Sequence, residues 1–381
     1  MITRAKKLIK QLLMFSGRLL GLSLLSKIQT LDFLREHQLA HQPENRVILP
    51  QITDAALPDA VIFSQKEAVT QPTYVWQLTT PPPALSVLPS GNVRVANTVL
   101  CTDYWNHHVL YDQFLPRRRP VVPIDSLVAP FGHPQDMITF GGYYDFIYLV
   151  AAKLCRIRES LPDRSFDSMA VAYPLFGTFY ESELLSRLGF SPDRIYDSRR
   201  YELRPKACLL GNGGDWFYPN LADIAAIRSF LAPLQPTQGQ QTERTYISRA
   251  GRRRVINEDA LVAMLLRYGF TIVDDKPRSL AEQVAIYSRA SLLLGPHGAS
   301  FSNLIWAEPG TQFHELFTAN YAPDFFLYLA QVAGLSYSAS RHGKVGRMSQ
   351  KQALVEDITV SVDSVERLLI GLLEQKRHPA G

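Results

Sequence analysis

The stretch "LLLGPHGASFSNLIWAEPGTQFHEL", residues 292–316, decides the fold class. Its first residues form a short apolar run typical of a buried strand, and Gly295 and Pro296 end that run. The apolar spacing after "GPHGA" predicts a helix, and "TQFHEL" predicts a second strand. A strand, a short helical crossover and another strand together predict a parallel pair in an α/β sheet.

The same alternation continues on the N-terminal side of this stretch. "RTYISR" predicts a strand that ends at Ser248 and Arg249, Asn257 predicts the start of a helix, and "FTIVD" predicts the next strand. Ser279 and Glu282 form a capping-box pattern at the start of another helix, which leads to the strand "SLLL". Four strands and three helices then predict a parallel sheet covered by helices on both faces.

The N-terminal half carries a weaker version of this pattern. "GGYYDFIYLVAAKLCRIRESLPD" predicts a helix that ends before Pro162, and short strands flank the helix "ESELLSRLGF". Residues 41–90 are rich in proline and predict an irregular lead-in. A chain of 381 residues suits two domains. We predict a basic amphipathic helical segment at 1–40, an N-terminal α/β domain at 41–210 and a C-terminal α/β domain at 211–381.

Composition excludes several classes of protein. A hydrophobic content of 46% with 20% charged residues indicates a folded globular chain. The net charge of +5 favours an anionic ligand, but the basic residues are not interleaved with aromatic residues, so we expect no nucleic-acid partner. Three widely spaced cysteines fit neither a disulfide framework nor a metal site and favour a reducing compartment, the cytoplasm.

The first 31 residues contain six basic residues and no acidic one. Their apolar residues have helical spacing, and the uncharged runs are far shorter than the ~20 residues of a membrane span. Two interpretations stay open. The segment is either a basic amphipathic helix on the inner face of an anionic membrane or a helix that packs on the protein's own core.

The predicted strand ends bring together residues suited to a diphosphate. Ser248 and Arg249 end the first strand, Gly295 to Ala299 follow the third, and Glu315 lies near the end of the fourth. Glycines allow backbone to approach a ligand, and helix N-terminal amides favour an anion. Arg249, with Arg252 to Arg254, could contact phosphate oxygens in a bidentate manner, and Glu315 could accept hydrogen bonds from a ribose diol. These residues predict a nucleotide diphosphate site.

Other chemistries find little support in the same residues. "GASFS" is not a nucleophile elbow, and "HELFT" has Thr318 where a zinc-protease helix needs a histidine. A Walker A sequence and a D-x-D pattern are both missing from the sequence. We therefore expect no cofactor and no metal.

The string that runs from "YISR" through "RRR", "INE", "YGFTIV" and "SLAEQVAIYSRASLLLGPHGASFSNLIW" resembles glycosyltransferase family 61. The resemblance implies a GT-B fold, in which two doubly wound Rossmann-like domains face each other across a cleft. It also implies inversion at the anomeric carbon and a last helix that packs toward the N-terminal domain. The donor-site residues that we carry over or infer are Ser248, Arg249, Arg253, Gly295, His297, Gly298, Ala299, Asn303 and Glu315.

Inversion requires a base for the acceptor hydroxyl. Relatives often carry a histidine in the motif that reads "GGYYDF" here, and this chain has Asp145 there, which we predict as the base; His107, His108 and His133 are alternatives. The predicted function is an inverting, metal-independent glycosyltransferase that moves a UDP-linked sugar to a glycan or lipid-linked oligosaccharide acceptor in surface or capsular polysaccharide synthesis. The alternative is a non-catalytic homologue that binds a nucleotide sugar or glycan.

Overall fold

The computed structural model describes residues 21–79, 85–110, 118–134, 141–236 and 242–377. The strands are β1 (Ser23–Leu24), β2 (Gln38–Gln42), β3 (Arg46–Leu49), β4 (Ile52–Thr53), β5 (Val61–Phe63), β6 (Lys66–Val69), β7 (Thr73–Thr79), β8 (Leu85–Val87), β9 (Val93–Val95), β10 (Thr98–Val99), β11 (Val121–Ala129), β12 (Ala170–Tyr173), β13 (Ile195–Asp197), β14 (Glu202–Gly211), β15 (Glu243–Ile247), β16 (Phe270–Val273), β17 (Ala290–Pro296), β18 (Gln312–Thr318) and β19 (Ser336–His342). The α-helices are α1 (Lys27–Phe33), α2 (Tyr143–Asp145), α3 (Ala152–Glu159), α4 (Phe179–Arg187), α5 (Leu221–Leu231), α6 (Glu258–Arg267), α7 (Leu280–Arg289), α8 (Phe325–Ala333), α9 (Gln350–Ala353) and α10 (Val362–Arg377).

These elements form two compact units. The first contains the described residues up to Asn45 and Thr70–Phe230, and the second contains Arg46–Val69 and the described residues from Leu231 onward. The units differ from the predicted segments 1–40, 41–210 and 211–381, because residues 46–69 pack with the C-terminal half of the chain.

The sheet of the first unit has a parallel centre. β14, β11, β12 and β13 lie side by side in that order and are parallel, and β7 and β8 pair with β14 in the antiparallel sense. This sheet is therefore mixed, and the parallel pattern that we predicted for the first domain holds for four of its strands. β7 and β8 fall inside residues 41–90, where the prediction of an irregular lead-in was wrong.

A long helical segment follows β11 in the first unit. It begins with α2, continues as a π-helix over Phe146–Ala151 and ends with α3, which stops before Pro162. The predicted helix is confirmed, but the π-helical centre was not predicted. All six residues of the π-helix are buried, and an insertion of this kind often lies near a functional site.

The second unit contains a five-stranded parallel sheet in the order β16-β15-β17-β18-β19. Four of these strands were predicted, and β19 was missed. One face packs on α6 and α10, with Leu292, Leu294 and Val365 in the same buried cluster. On the other face Phe313 contacts Phe301, with 4.6 Å between ring centroids. The sheet is thus covered on both faces, as a doubly wound sheet is.

Residues 46–69 form two small hairpins of the second unit, β3 with β6 and β4 with β5. Asp54 forms a parallel bridge with Ala339 of β19, and Lys66 forms an ion pair with Asp324 at 2.5 Å. These contacts extend the sheet beyond its last strand. They join residues that lie 285 and 258 positions apart in the chain, which a local sequence pattern does not reveal.

The last helix, α10, contributes to the core of the second unit. Val365 and Leu369 are buried with Met264 and Leu265 of α6, and Glu366 accepts a hydrogen bond from Tyr268 at 3.0 Å. The family resemblance implies a last helix that packs toward the first domain, whereas these contacts are made within the second unit.

The N-terminal segment that we predicted as a basic amphipathic helix lies mostly outside the described residues. In its described part, from residue 21 onward, the chain forms β1 and then begins α1 at Lys27. A search of the described residues finds no helix with the length and apolar character needed to cross a bilayer.

Candidate functional site

The candidate site of the second unit lies beyond the carboxyl ends of β15 and β17. The chain runs from β15 outward to β16 and then returns to β17 on the other side of β15, so the strand order reverses between β15 and β17. Doubly wound sheets bind ligands at such a switch point. Ser248 and Arg249 directly follow β15, and His297 directly follows β17. The structure therefore brings these predicted strand-end residues together.

Two arginine side chains converge there on one backbone carbonyl. Nη1 of Arg249 donates a hydrogen bond to the carbonyl oxygen of His297 at 2.9 Å, and Nε of Arg253 donates to the same oxygen at 3.3 Å. Nη1 of Arg253 also donates to the carbonyl oxygen of Leu354 at 2.8 Å. Its guanidinium lies 5.5 Å from the ring centroid of Tyr321. Both arginines are therefore held by neutral acceptors.

The site contains positive charge without an equal negative charge. In the described part of the chain neither Arg249 nor Arg253 forms an ion pair with a carboxylate, and the buried Nε of Arg249 has no hydrogen-bond partner. Burial, followed by the like charge of Arg253, lowers the pKa of Arg249 from its usual range to about 9. Burial also lowers the pKa of Arg253. At neutral pH Arg249 stays charged, and a bound anion would offset the unfavourable burial of these charges.

Two glycines of "GPHGA" have separate steric roles. A Cβ on Gly298 would overlap Nη1 of Arg249 and would lie 3.0 Å from Cζ of that side chain. The backbone of Gly298 is extended, with φ −170°, so the glycine is required for space and not for a special conformation. A Cβ on Gly295 would lie 2.6 Å from the carbonyl oxygen of Ile247. Gly298 thus makes room for Arg249, and Gly295 allows β15 and β17 to pack closely.

The helix predicted after "GPHGA" is a 3-10 helix over Ala299–Trp306, with Gly298 as its N-cap. The amide of Phe301 donates to the carbonyl oxygen of Gly298 at 3.0 Å. Ala299 is partly exposed and Ser300 is exposed. The first amides of a helix have no acceptor within the helix, so this start can still favour an anion.

Asn303 lies inside the second unit. It is 1% exposed, and its Nδ2 donates to Oε1 of Gln283 at 3.0 Å and to the carbonyl oxygen of Ser300 at 3.1 Å. Its Oδ1 accepts a hydrogen bond from Trp306 at 3.2 Å. These contacts tie the 3-10 helix to α7, so the predicted place of Asn303 in the donor pocket is corrected to a structural one.

His297 and Glu315 form a buried pair. Nδ1 of His297 lies 2.5 Å from Oε1 of Glu315, and Oε2 of Glu315 accepts a hydrogen bond from Tyr337 at 2.7 Å. Burial lowers the pKa of His297 well below its usual value and raises the pKa of Glu315 well above its own. Both directions favour a neutral imidazole beside a protonated carboxyl, which then donates to Nδ1 and leaves the imidazole proton on Nε2.

This pair corrects the predicted role of Glu315. The side chain is 0% exposed, and both its oxygens are engaged by His297 and Tyr337. It therefore cannot accept hydrogen bonds from a ribose diol in this arrangement. Aromatic rings also surround His297, at centroid distances of 5.3 Å for Phe317 and 5.1 Å for Phe326. Glu315 therefore holds the imidazole of His297 in position through its contact with Nδ1.

Ser248 belongs to a small polar cluster at the start of α6. Its Oγ donates to Oε1 of Glu258 at 2.8 Å, and the hydroxyl of Tyr246 donates to the same oxygen at 2.8 Å. The backbone amide of Ser248 donates to the carbonyl oxygen of Val273. Glu258 thus fixes the end of β15, a role that the sequence did not reveal although the residue stands in the first turn of a predicted helix.

Asp145 of the first unit caps the start of α2. Its Oδ2 accepts the backbone amides of Gly141 at 2.9 Å and Gly142 at 3.0 Å, and its Oδ1 accepts the indole N–H of Trp216 at 2.9 Å. The carboxylate is 6% exposed. These contacts hold the glycine turn and Trp216 in place, so they indicate a structural role for Asp145 in addition to any catalytic one.

The histidines that we named as alternative bases lie in the same unit. The rings of His108 and His133 are 5.6 Å apart, and His133 is 4.5 Å from the ring of Trp105. Nε2 of His108 faces Oδ1 of Asn92 at 3.1 Å. Burial, followed by His133, lowers the pKa of His108 to about 3. His108 is therefore neutral at physiological pH, and it is a weak base.

The first unit also contains two buried ion pairs. Nζ of Lys153 donates to Asp103 at 2.5 Å, and Arg156 donates to Asp223 at 2.6 Å. The second carboxylate oxygen of Asp103 accepts the amide of Gly132 at 2.7 Å. Asp103 thus joins the loop before β11 to the loop after it and to α3, and the pair of Arg156 and Asp223 joins α3 to α5. Within the described ranges, no group of three or more histidine, cysteine or acidic side chains is placed to hold a metal ion.

The topology and the strand-end residues define an α/β protein whose parallel sheet places Arg249 and Arg253 at its switch point. The family model of glycosyltransferase 61 matches residues 47–314, which is more than half of the chain. The chain therefore belongs to glycosyltransferase family 61, and the resemblance drawn from the sequence is confirmed.

One relative adds to this comparison. "Xylan glycosyltransferase MUCI21" of Arabidopsis thaliana is 29% identical over 85 residues, which cover 22% of this chain and 17% of that protein. The similarity thus spans about a sixth of the relative's length.

Proposed function

We propose that this protein is an inverting glycosyltransferase that binds the diphosphate of a nucleotide sugar through Arg249 and Arg253. The observation that carries the proposal is the convergence of the half-buried Arg249 and the buried Arg253, neither of which pairs with a described carboxylate, on the carbonyl oxygen of His297 at the switch point. Arginine matches phosphate oxygens in a bidentate manner. The description of the two units as a GT-B fold belongs to the same proposal, because the family resemblance implies it.

The arginines would also promote the departure of the diphosphate. In an inverting displacement the acceptor oxygen forms a bond to the anomeric carbon, and the bond from that carbon to the phosphate oxygen breaks with its electron pair. The diphosphate then gains negative charge, which preorganised cations stabilise. Two guanidinium groups can supply this stabilisation, and on that basis we propose a mechanism without a metal. Activity that is lost with EDTA and restored by Mg²⁺ or Mn²⁺ would contradict it.

The acceptor proton needs a base, and Asp145 is the residue that the family motif suggests. The substitution Asp145→Asn tests it. If Asp145 is the base, kcat falls by about 100-fold or more. A mainly structural role predicts that the Asn variant keeps most of its activity, since an amide oxygen can still accept from Trp216 or from the glycine amides. Wild-type activity in the folded variant would exclude Asp145 as the base.

The family and the similar relative support a proposal about the substrates. We propose a UDP-linked sugar as donor and a glycan, free or lipid-linked, as acceptor, with a role in surface or capsular polysaccharide synthesis. The similar Arabidopsis protein is named for xylan, which supports a polysaccharide acceptor. The basic residues at positions 1–31 support a location on the inner face of an anionic membrane, which co-sedimentation of the chain with and without them would test.

Thermal stabilisation and product analysis test the proposal directly. UDP should raise the unfolding temperature of the wild type, because a ligand that binds only the folded state stabilises it. Arg249→Ala should abolish that shift. Arg289→Ala is the matched control, because Arg289 is exposed and lies in the same unit. If UDP and other nucleoside diphosphates give no shift in the wild type, the proposed donor site is wrong.

The second candidate function is a non-catalytic protein that binds a nucleotide sugar. The engagement of Asp145 in three hydrogen bonds favours it. UDP binding with no release of UDP from UDP-sugars, across a broad panel of acceptors, would support this candidate over the enzyme.

A further inference from the structure

A loop of the second unit, residues 343–349, holds an apolar side chain out into solvent. Val345 is 86% exposed, and Met348 is 37% exposed. Glycines stand at positions 343 and 346, and basic residues stand at 344 and 347. Single exposed apolar residues are common and need no explanation, so the geometry of this loop decides whether Val345 has a role.

The side chain of Asn320 fixes the loop on both sides of Val345. Nδ2 of Asn320 donates to the carbonyl oxygen of Lys344 at 3.1 Å, and Oδ1 accepts the amide of Gly346 at 2.9 Å. Nδ2 also donates to Oε1 of Glu356 at 3.0 Å. The tip of the loop is therefore anchored, and Val345 points outward because defined contacts hold its neighbours.

Basic side chains surround this apolar tip. Lys344, Arg347 and Lys351 are exposed, and none of them forms an ion pair with another described residue. The one acidic residue tied to the loop, Glu356, accepts hydrogen bonds from Asn320. The tip thus combines exposed apolar groups with positive charge that the protein itself does not neutralise.

A second segment extends the same surface. Arg253 donates to the carbonyl oxygen of Leu354, and the amide of Ile256 donates to the carbonyl oxygen of Ile358 at 2.8 Å, so residues 253–256 lie beside residues 354–358. Ile256 is 64% exposed, and Val355 is 45% exposed. Two further exposed apolar side chains therefore lie on the segment that follows residues 343–351 in the chain and on the segment that pairs with it.

We propose that the 343–351 surface docks the protein on an anionic membrane. Val345 and Met348 would enter the boundary between headgroups and acyl chains, and Lys344, Arg347 and Lys351 would contact anionic headgroups. A membrane interface uses both features, since apolar burial and attraction to anionic lipid add in peripheral binding. A soluble polyanion would use the basic residues alone and would leave the held-out Val345 without a role. This surface includes none of the basic residues at positions 1–31, and the inference does not depend on the donor site.

A dye at position 345 tests the contact directly. All three native cysteines are buried, so Val345→Cys in the full chain can be labelled selectively with an environment-sensitive dye. Its emission should shift to the blue with vesicles of mixed phosphatidylcholine and phosphatidylglycerol. Leu266→Cys is the control, because Leu266 is 57% exposed in the same unit, and its dye should not shift. An unchanged spectrum at position 345 while the protein binds the vesicles would overturn the proposal, because residues 1–31 would then carry the binding.

Charge and apolar variants provide the second test. Arg347→Glu should lower vesicle binding about fivefold or more, which is the effect of removing one basic residue near a membrane surface. Arg289→Glu is the control and should have little effect, because it makes the same change of charge on an exposed residue outside the 343–351 surface. Val345→Asp should also weaken binding, and binding should fall with added salt. Equal effects of Arg347→Glu and Arg289→Glu on vesicle binding would refute membrane docking. So would a protein that binds no vesicles but binds a soluble polyanion, if Val345→Asp leaves that polyanion binding unchanged.

Discussion

The substitution Gly298→Ala should displace the guanidinium of Arg249 without removing it, and so tests whether the position of this group matters. The new Cβ would overlap Nη1 of Arg249 and would lie 3.0 Å from Cζ, whereas carbon atoms in ordinary contact lie about 3.5–4.0 Å apart. The guanidinium must therefore move by roughly half an ångström at Cζ and by more at Nη1. The hydrogen bond from Nη1 to the carbonyl oxygen of His297 lies on the side that must move.

The cost in affinity can be estimated from the hydrogen bond that the displaced guanidinium would no longer make to the bound diphosphate. A hydrogen bond that involves a charged group contributes about 1.5–3 kcal/mol, which corresponds to a loss of about 10- to 150-fold in affinity for a diphosphate. The backbone at Gly298 is extended, so an alanine adds no backbone strain. We expect the unfolding temperature without ligand to change little and the dissociation constant for UDP, measured by calorimetry, to rise by this factor.

Two controls make the result decisive. Gly251→Ala places a Cβ where nothing lies within 4 Å, two residues from Arg249, and should leave the affinity unchanged. In an Arg249→Ala background the overlap is absent, so Gly298→Ala should then have almost no further effect on affinity. Wild-type affinity in the Gly298→Ala protein, or full additivity of the two substitutions, would refute our assignment of Arg249 to the anion site.

Two further predictions concern stability. Lys153→Met should lower the free energy of unfolding, measured with urea, by about 3–5 kcal/mol, because it leaves Asp103 buried without its partner. Lys206→Met is the control: it removes an exposed partner of Asp125 and should leave the midpoint of urea unfolding unchanged. Burial lowers the pKa of His314 from 6.5 to about 3, so the unfolded chain binds this proton more readily and stability should fall by up to about 1.4 kcal/mol per pH unit below pH 6.5. His314→Gln should have a shallower loss between pH 6.5 and pH 4, and an equally steep loss would show that other groups control it.

The sequence predicted the central part of the second unit because its strands and helices have strong local periodicity. The rule that ligands bind at strand ends then placed Arg249 and His297 together. β19 escaped prediction because its buried positions hold small and polar residues, such as Ala339 and Ser340, which form no apolar run. The hydroxyl of the buried Ser340 has a hydrogen-bond partner, because it lies 2.9 Å from Nε2 of His314 on the neighbouring strand. Only the pairing of strands in the sheet reveals this contact.

The contacts that engage the carboxyl groups of Glu315 and Asp145 escaped prediction for a similar reason. The sequence places Glu315 near a strand end, but its burial depends on Tyr337 from the missed strand β19. The cap that Asp145 forms over Gly141 and Gly142 is local and could be expected from a carboxylate in the first turn of a helix. Its contact with Trp216 joins residues 71 positions apart, so the full engagement of the carboxylate could not be read from the chain.

Burial raises the pKa of Glu315, which favours an uncharged carboxyl beside His297 and leads to a last prediction. An ionised carboxylate beneath His297 would cancel part of the charge of Arg253, and a protonated one does not. Glu315→Gln should therefore leave the affinity for UDP within about threefold of the wild type, because the amide can donate to Nδ1 of His297 and accept from Tyr337. Calorimetry at neutral pH checks this. If the carboxylate is ionised in the wild type, it already balances one of the two arginine charges, and the bound diphosphate balances only the other. Its removal in Glu315→Gln will then strengthen UDP binding about tenfold or more.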